Sequence, residues 1–76
     1  MKFYQILKVC KHDQMINLHI EREDGTKYTQ LKPANNYKFD YLKAKKEDKK
    51  DLGVFGREVW LITHNVDCLE IWLCAK

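Results

Sequence analysis

The sequence contains few of the residues that form tight turns and disulfides, and no segment suited to spanning a membrane. Its 76 residues include one proline, three glycines and three cysteines. An odd number of cysteines without Cys-x-x-Cys spacing makes a poor disulfide framework and is typical of a reducing compartment. No apolar run approaches the roughly 20 residues of a membrane helix, and Lys2, Gln5 and Lys8 interrupt the place where a signal peptide has its apolar core. We therefore expect a cytoplasmic protein, of the producing cell or of a host cell, with no membrane partner.

Arginine is scarce as well, which bears on the class of partner. The chain has two arginines against twelve lysines, and its net charge is only +3. Arginine is the usual residue for bidentate contacts with phosphate or guanine, and a small net charge attracts polyanions weakly. We therefore expect nucleic acid to bind weakly or indirectly.

Catalytic and cofactor motifs are missing from the sequence. It has no glycine-rich nucleotide-binding loop, no Gly-x-Ser-x-Gly and no His-Glu-x-x-His. Cys10 and His12 at one turn, with His64 and Cys68 at another, would offer zinc a Cys2His2 set if the two turns met. This spacing matches no known zinc module, so we expect no metal. From the odd cysteine count we expect reduced thiols, and from the missing motifs we expect no cofactor and no enzymatic activity.

The residues that are present predict two β-hairpins. Apolar and polar residues alternate over 15–22, and Asp24-Gly25 then leads into the strand-like stretch 26–31, the strongest short hairpin signal. A two-residue loop would set Leu18 opposite Leu31. The second hairpin joins two runs that are apolar on both faces, which predicts central strands covered on both sides. These runs are 58–64 and 68–75.

Two further strands complete the predicted fold, at 2–11 and at 37–42, where Tyr37, Phe39 and Tyr41 would share one face. The prediction is thus a single all-β domain over 1–76, a small five- or six-stranded antiparallel barrel of SH3-like or OB-like form, with a charged loop at 43–51. The alternative is an α+β fold in which a short helix near 40–51 packs against the sheet.

The candidate binding site lies in and after the charged loop. Gly53 and Gly56 flank an apolar pair, so an exposed tip that anchors a partner is one interpretation. In the other interpretation Phe55 folds back into the core. The lysines would steer an acidic protein partner toward the anchor. The predicted protein-binding residues are Lys45, Lys46, Lys49, Lys50, Val54, Phe55 and Arg57.

The sequence therefore favours a non-catalytic protein-binding module that acts as an inhibitor or adaptor. Small size and an amino-acid usage that suggests AT-rich coding DNA are typical of phage accessory and anti-defence proteins. Such proteins inhibit a host protein or nucleoprotein complex. The partner is expected to have an acidic surface. The sequence is compatible with a homodimer but does not decide the oligomeric state. The alternative function is an OB-type domain for single-stranded nucleic acid, with Tyr37, Phe39 and Tyr41 exposed and lysines lining a groove.

Overall fold

The computed structural model describes residues 1–47 and 52–74, and it shows an α+β fold instead of an all-β barrel. The elements in chain order are α1 (Phe3–Leu7), β1 (Met15–Glu21), β2 (Lys27–Pro33), α2 (Ala34–Glu47), the 3₁₀ helix η1 (Gly53–Gly56), β3 (Val59–His64) and β4 (Leu69–Leu73). The strands form one open sheet in the order β2-β1-β4-β3. The two central strands, β1 and β4, are parallel, and the outer pairs are antiparallel. The prediction of a closed antiparallel barrel is therefore wrong.

The first segment, predicted as a strand over 2–11, forms the short helix α1. Its buried residues are Phe3, Ile6 and Leu7, and this i, i+3, i+4 spacing places all three on one side of a helix. The side chain of Gln5 reaches back to accept a hydrogen bond of 2.8 Å from the Lys2 N–H, which satisfies one of the free donors at the helix start.

The first hairpin is confirmed, but its register differs by one residue from the predicted one. The Arg22 N–H donates to the Thr26 carbonyl at 2.8 Å, so the loop has three residues and ends at Gly25, whose φ is +88°. This loop type places a left-handed residue at its last position. Leu18 consequently pairs with Gln30, and Leu31 is moved to the opposite face of the sheet.

The largest difference from the prediction is the 14-residue helix α2, which replaces the strand at 37–42 and part of the charged loop. Ala34 and Tyr37 are buried, and Tyr41 and Ala44 pack against the same core. Positions i, i+3, i+7 and i+10 lie on one side of a helix. The alternative α+β class is therefore the right one, although the helix starts earlier than the predicted 40–51, and residues 48–51 lie outside the described part of the chain.

The loop before β1 caps the start of α2. The N–H groups of Ala34 and Asn35 donate to the carbonyls of Gln14 and His12 at 2.7 and 2.9 Å. These are donors that a helix cannot satisfy internally. Pro33 stands just before the helix, where its missing N–H costs nothing. Proline thus marks the transition from β2 into the helix α2.

The three helical segments all cover the same face of the sheet. The core consists of side chains from α1, α2 and η1 packed on alternate residues of the two central strands. Its buried members are Phe3, Ile6, Leu7, Ile16, Leu18, Ile20, Ala34, Tyr37, Phe55, Ile71 and Leu73. A helical layer on one side only leaves the other side of the sheet without a covering element in the described residues.

The second hairpin is also confirmed, with strand β4 central and strand β3 at the edge of the sheet. The prediction that both strands are central is wrong for β3, where Trp60, Leu61 and Ile62 are all exposed. The prediction that both are covered on two sides is wrong for β4 as well, because Glu70 and Trp72 lie on the face that no described element covers. None of the helices in the described ranges is long and apolar enough to cross a bilayer.

Candidate functional site on the open face of the sheet

The face of the sheet opposite the helices, called here the open face, is the main candidate site. Strand register places its residues: the odd-numbered positions of β1 pair with odd-numbered positions of β2 and with Glu70 and Trp72 of β4. Leu61 and Thr63 of β3 pair in turn with Trp72 and Glu70. The resulting surface comprises Met15, Asn17, His19, Glu21, Lys27, Thr29, Leu31, Leu61, Thr63, Glu70 and Trp72.

A stacked pair of rings lies at the centre of this face. The imidazole of His19 lies parallel to the indole of Trp72, with centroids 4.0 Å apart and an interplanar angle of 2°. Glu70 Oε1 lies 3.2 Å from His19 Nε2 and accepts a hydrogen bond of 3.3 Å from the Asn17 amide. The carboxylate of Glu70 therefore fixes the position of the His19 ring. The His19 ring in turn restricts Trp72, because the two rings are stacked.

The hydrogen bonds at Glu70 also affect its ionisation. The bond to His19, followed by those to Asn65 and Asn17, lowers the pKa of the Glu70 carboxyl below its usual value, although partial burial acts in the opposite direction. Hydrogen bonds to a carboxylate favour its charged form. The Glu70 carboxylate therefore carries its negative charge beside the two rings at neutral pH.

Large apolar side chains surround the cluster. Trp60 lies with its ring centroid 6.5 Å from that of Trp72, and it is 61% exposed, compared with 58% for Leu31 and 38% for Leu61. A groove of about 350 Å³ is lined by His19, Ile20, Glu21, Lys27, Tyr28, Thr29, Trp60, Trp72 and Leu73. It thus combines residues of the open face with Ile20, Tyr28 and Leu73 of the core face. Exposed apolar side chains beside a groove are a feature of interaction sites in small domains.

Charge on the open face does not favour a polyanion. Glu21 and Glu70 contribute two carboxylates, while Lys27 is the lysine on this face. The lysines of α2 belong to the helical layer on the other side of the sheet. Surfaces that bind nucleic acid place cations beside the stacking rings, and here the two are separated.

The structure buries the aromatic residue that was predicted as an exposed anchor. Phe55 is 8% exposed, stacks on Phe3 with centroids 5.8 Å apart and contacts Tyr41 at 5.6 Å. The choice of an exposed Phe55 is therefore wrong, and the alternative in which it enters the core is confirmed. Val54 packs partly buried against the same cluster, and Arg57 donates from Nη1 to the Glu21 carbonyl at 2.7 Å.

Two of the predicted lysines are exposed and two cannot be placed. Lys45 and Lys46 lie in the last turn of α2, where cations interact favourably with the helix dipole. Lys49 and Lys50 lie outside the described residues. The exposed side of α2 also carries Phe39, 69% exposed, and Leu42, 62% exposed, so the lysines adjoin a small apolar patch that the sequence pattern did not indicate.

The predicted aromatic face of Tyr37, Phe39 and Tyr41 does not form. Successive positions in a helix are rotated by about 100°, so residues two apart point in different directions. Tyr37 is buried, and its hydroxyl donates to the Gln30 carbonyl at 2.5 Å; burial raises its pKa far above the usual range. Phe39 faces solvent, and Tyr41 stacks on Tyr4 at 5.5 Å.

The cysteines are unpaired and partly buried. Burial raises the pKa of the Cys10 thiol, an effect that nearby Lys38 partly offsets. Within residues 1–47 and 52–74 no three histidine, cysteine or acidic residues come close enough together to hold a metal ion. The four proposed zinc ligands, Cys10, His12, His64 and Cys68, therefore do not form a site in this structure.

The chain matches no protein-family model, no curated protein and no solved structure. The site must therefore be argued from its residues alone. Sequence reasoning missed the open face because it treated both strands of the second hairpin as covered on both sides. The signal that could have found it is Trp60 and Trp72 in neighbouring strands of a chain too short to cover both faces of a sheet.

Proposed function

We propose that this domain is a non-catalytic protein-binding module that contacts its partner through the open face of the sheet. The observation that carries the proposal is the apolar group of Leu31, Leu61 and half-buried Trp72 on the face opposite the helices, with the exposed Trp60 beside Trp72. Tryptophan is enriched among the residues that dominate binding energy in protein interfaces. A helical layer on one face and apolar side chains with two tryptophans on the other are features of a docking surface.

The polar residues at the centre of this face support the same proposal. Glu70 and Asn17 position His19, which stacks on Trp72. A side chain that is already held in its bound position loses less conformational entropy on association. Trp72 is therefore a pre-organised contact residue, and its neighbours provide the polar surroundings typical of interface hot spots.

The acidic partner predicted from the lysines remains part of the proposal. Lys45 and Lys46 are exposed at the end of α2, and the net charge is +3. Because these lysines lie on the helical side of the sheet, they would act on an acidic partner through the net charge, by raising the association rate, and not at the contact itself. On composition alone, we extend the proposal to a cytoplasmic inhibitor or adaptor of the phage accessory or anti-defence type.

The test starts with a pull-down. The domain is immobilised, and the protein that it captures from nuclease-treated lysate of the source cells is used for the affinity measurements. After its identification and purification, its affinity is measured by calorimetry for the wild type and for Trp60→Ala. We expect the variant to lose about 2 kcal/mol of binding free energy, roughly 30-fold in dissociation constant.

Phe39→Ala is the matched control, because Phe39 is equally exposed but lies on α2. It should change the dissociation constant less than about threefold, as residues outside an interface do. If Phe39→Ala abolishes binding and Trp60→Ala does not, the contact surface is the outer side of α2 and the proposal is wrong. Thermal unfolding of both variants shows whether the fold is retained.

Single-stranded nucleic acid is the second candidate ligand, because three exposed or half-exposed rings, those of His19, Trp60 and Trp72, lie on a four-stranded sheet. Such a sheet can stack two or three bases. The carboxylates of Glu21 and Glu70 on the same face oppose phosphate binding, since the affinity for nucleic acid depends on cations. We therefore favour the protein partner.

A further inference from the structure

We propose that a second copy of this chain pairs with the outer edge of strand β3, so that two sheets join into one continuous eight-stranded sheet. This interface shares Trp60 and Leu61 with the proposed partner contact, but it is formed by the backbone edge of β3 and not by the open face of the sheet. It rests on three features of the sheet: the composition of its two edges, the segment that already pairs with one of them, and the exposure of apolar side chains along that edge.

The two edges of the sheet differ in how they are protected against pairing. Edge strand β2 carries Lys27, Lys32 and Pro33, and lysine and proline are the residues with which proteins usually block an exposed edge. Edge strand β3, with the sequence Val-Trp-Leu-Ile-Thr-His, has no lysine, proline or acidic residue. Within the described residues, the part of β3 beyond the bulge between Val59 and Leu61 is therefore the edge that is more open to another strand.

Part of this edge already accepts an antiparallel segment from the same chain. The Val59 N–H donates to the Met1 carbonyl at 2.8 Å, and the Phe3 N–H donates to the Arg57 carbonyl at 3.1 Å, with a bridge between Lys2 and Glu58. Beyond Val59, no other segment of the described residues is hydrogen-bonded to the outer side of β3. The backbone groups of residues 60–64 that point away from β4, which belong to alternate residues, are thus left for a partner strand.

The exposed side chains on this edge are suited to an identical strand. Trp60, Leu61 and Ile62 are 61%, 38% and 45% exposed. An antiparallel pairing of two copies centred on Ile62 sets Leu61 of one copy opposite Thr63 of the other and Trp60 opposite His64. No two formal charges face each other in this arrangement, whereas like charges directly opposite each other destabilise a sheet. A two-fold axis makes the contact self-complementary.

The size of the contact sets its expected strength. Five residues and three apolar side chains from each copy bury less than the roughly 1,200 Å² of a standard stable interface. We therefore expect a dimer with a micromolar dissociation constant, which forms and dissociates readily.

Sedimentation velocity over a range from low micromolar to millimolar protein tests the proposal. The wild type should shift from monomer to dimer, and Ile62→Lys should raise the dimer dissociation constant at least tenfold, because it places two lysines face to face. Leu31→Lys is the matched control, since Leu31 is 58% exposed on the other edge strand, and it should leave dimerisation unchanged.

Hydrogen exchange locates the interface independently of the variants. Within residues 60–64, the amides that point away from β4 should become more protected as the protein concentration rises, while those of β2 should not. A wild type that stays monomeric throughout, or a dimer that survives Ile62→Lys and is lost in Leu31→Lys, would overturn the proposal. Thermal melting of each variant distinguishes loss of the dimer from loss of the fold.

Discussion

Phe39 and Phe55 carry the same side chain at opposite extremes of exposure, 69% and 8%, so a matched pair of variants measures what burial contributes. Phe55→Ala should reduce the free energy of unfolding by about 3–5 kcal/mol, because it removes an aromatic ring packed on Phe3 and leaves a cavity. Phe39→Ala should change it by less than about 0.5 kcal/mol. Urea unfolding followed by tryptophan fluorescence compares the two, with Phe55→Leu as a milder variant if the alanine variant does not fold. Equal effects would contradict the core position of Phe55.

Glu70 leads to a prediction about pH. Its pKa in the folded protein is lowered, chiefly by the hydrogen bond to His19. The stabilisation from its carboxylate is therefore fully present above the pKa of an unfolded glutamate, about 4.3, and is lost as the pH falls through the lower pKa of the folded state. The difference in unfolding free energy between wild type and Glu70→Gln should accordingly be largest above about pH 4.3 and should shrink as the pH falls below that value.

Unfolding curves recorded between neutral pH and strongly acidic pH measure this difference. The same comparison in a His19→Phe background, which keeps a ring against Trp72 but removes the hydrogen bond, should show a weaker dependence on pH. A pH dependence that is unchanged in that background would rule out His19 as the main cause of the lowered pKa.

At the scale of single elements, the three-residue loop of the first hairpin determines which residues of β2 face the core. Gly25 has a φ of +88°, and a Cβ at this position would meet no atom within 4 Å. The cost of Gly25→Ala is therefore a backbone cost alone, about 1–2 kcal/mol for an L-residue in the left-handed region. Gly56→Ala is the control, because its φ is not positive and its Cβ would make an ordinary contact of 3.6 Å with Leu52.

Chemical denaturation of the two variants tests this prediction. Gly25→Asn should be less damaging than Gly25→Ala, since asparagine tolerates the left-handed region better than other residues do. If Gly56→Ala proves the more destabilising of the two alanine variants, the loop geometry is not the deciding factor.

In the whole molecule, the lysines of α2 are separated from the rings of His19, Trp60 and Trp72, and this limits nucleic-acid binding on the open face. The lysines lie on the helical side of the sheet, where Phe39 is the exposed ring beside them. We expect oligo-dT to bind with a dissociation constant of about 10⁻⁴–10⁻⁶ M at physiological salt, the range of non-specific binding.

Fluorescence anisotropy of labelled oligo-dT at several salt concentrations measures this affinity. Replacing Lys43, Lys45 and Lys46 by glutamine should weaken the residual binding, and Trp60→Ala should not affect it. A tight complex that is lost in Trp60→Ala, with the fold intact, would favour the nucleic-acid function over the protein-binding one.

Both hairpins followed from the sequence by itself, because turn residues and two-residue periodicity act over a few positions. The alternation over β1 buries Ile16, Leu18 and Ile20 as predicted, and the second hairpin turns between residues 64 and 69. The one-residue error in register arose because Asp24-Gly25 is compatible with both a two-residue and a three-residue loop.

Only the tertiary structure decided between helix and strand at α1 and α2, and which face of the sheet stays open. In α2, the tyrosines at 37 and 41 fit both a period of two and a helical spacing of four, so local pattern cannot choose between them. Burial of apolar side chains favours the helix over the strand, because the helix places Tyr37 in the core together with Phe3. The centroids of their rings are 5.4 Å apart. The exposure of Trp60 is likewise non-local, since it depends on which side of the sheet the helices cover.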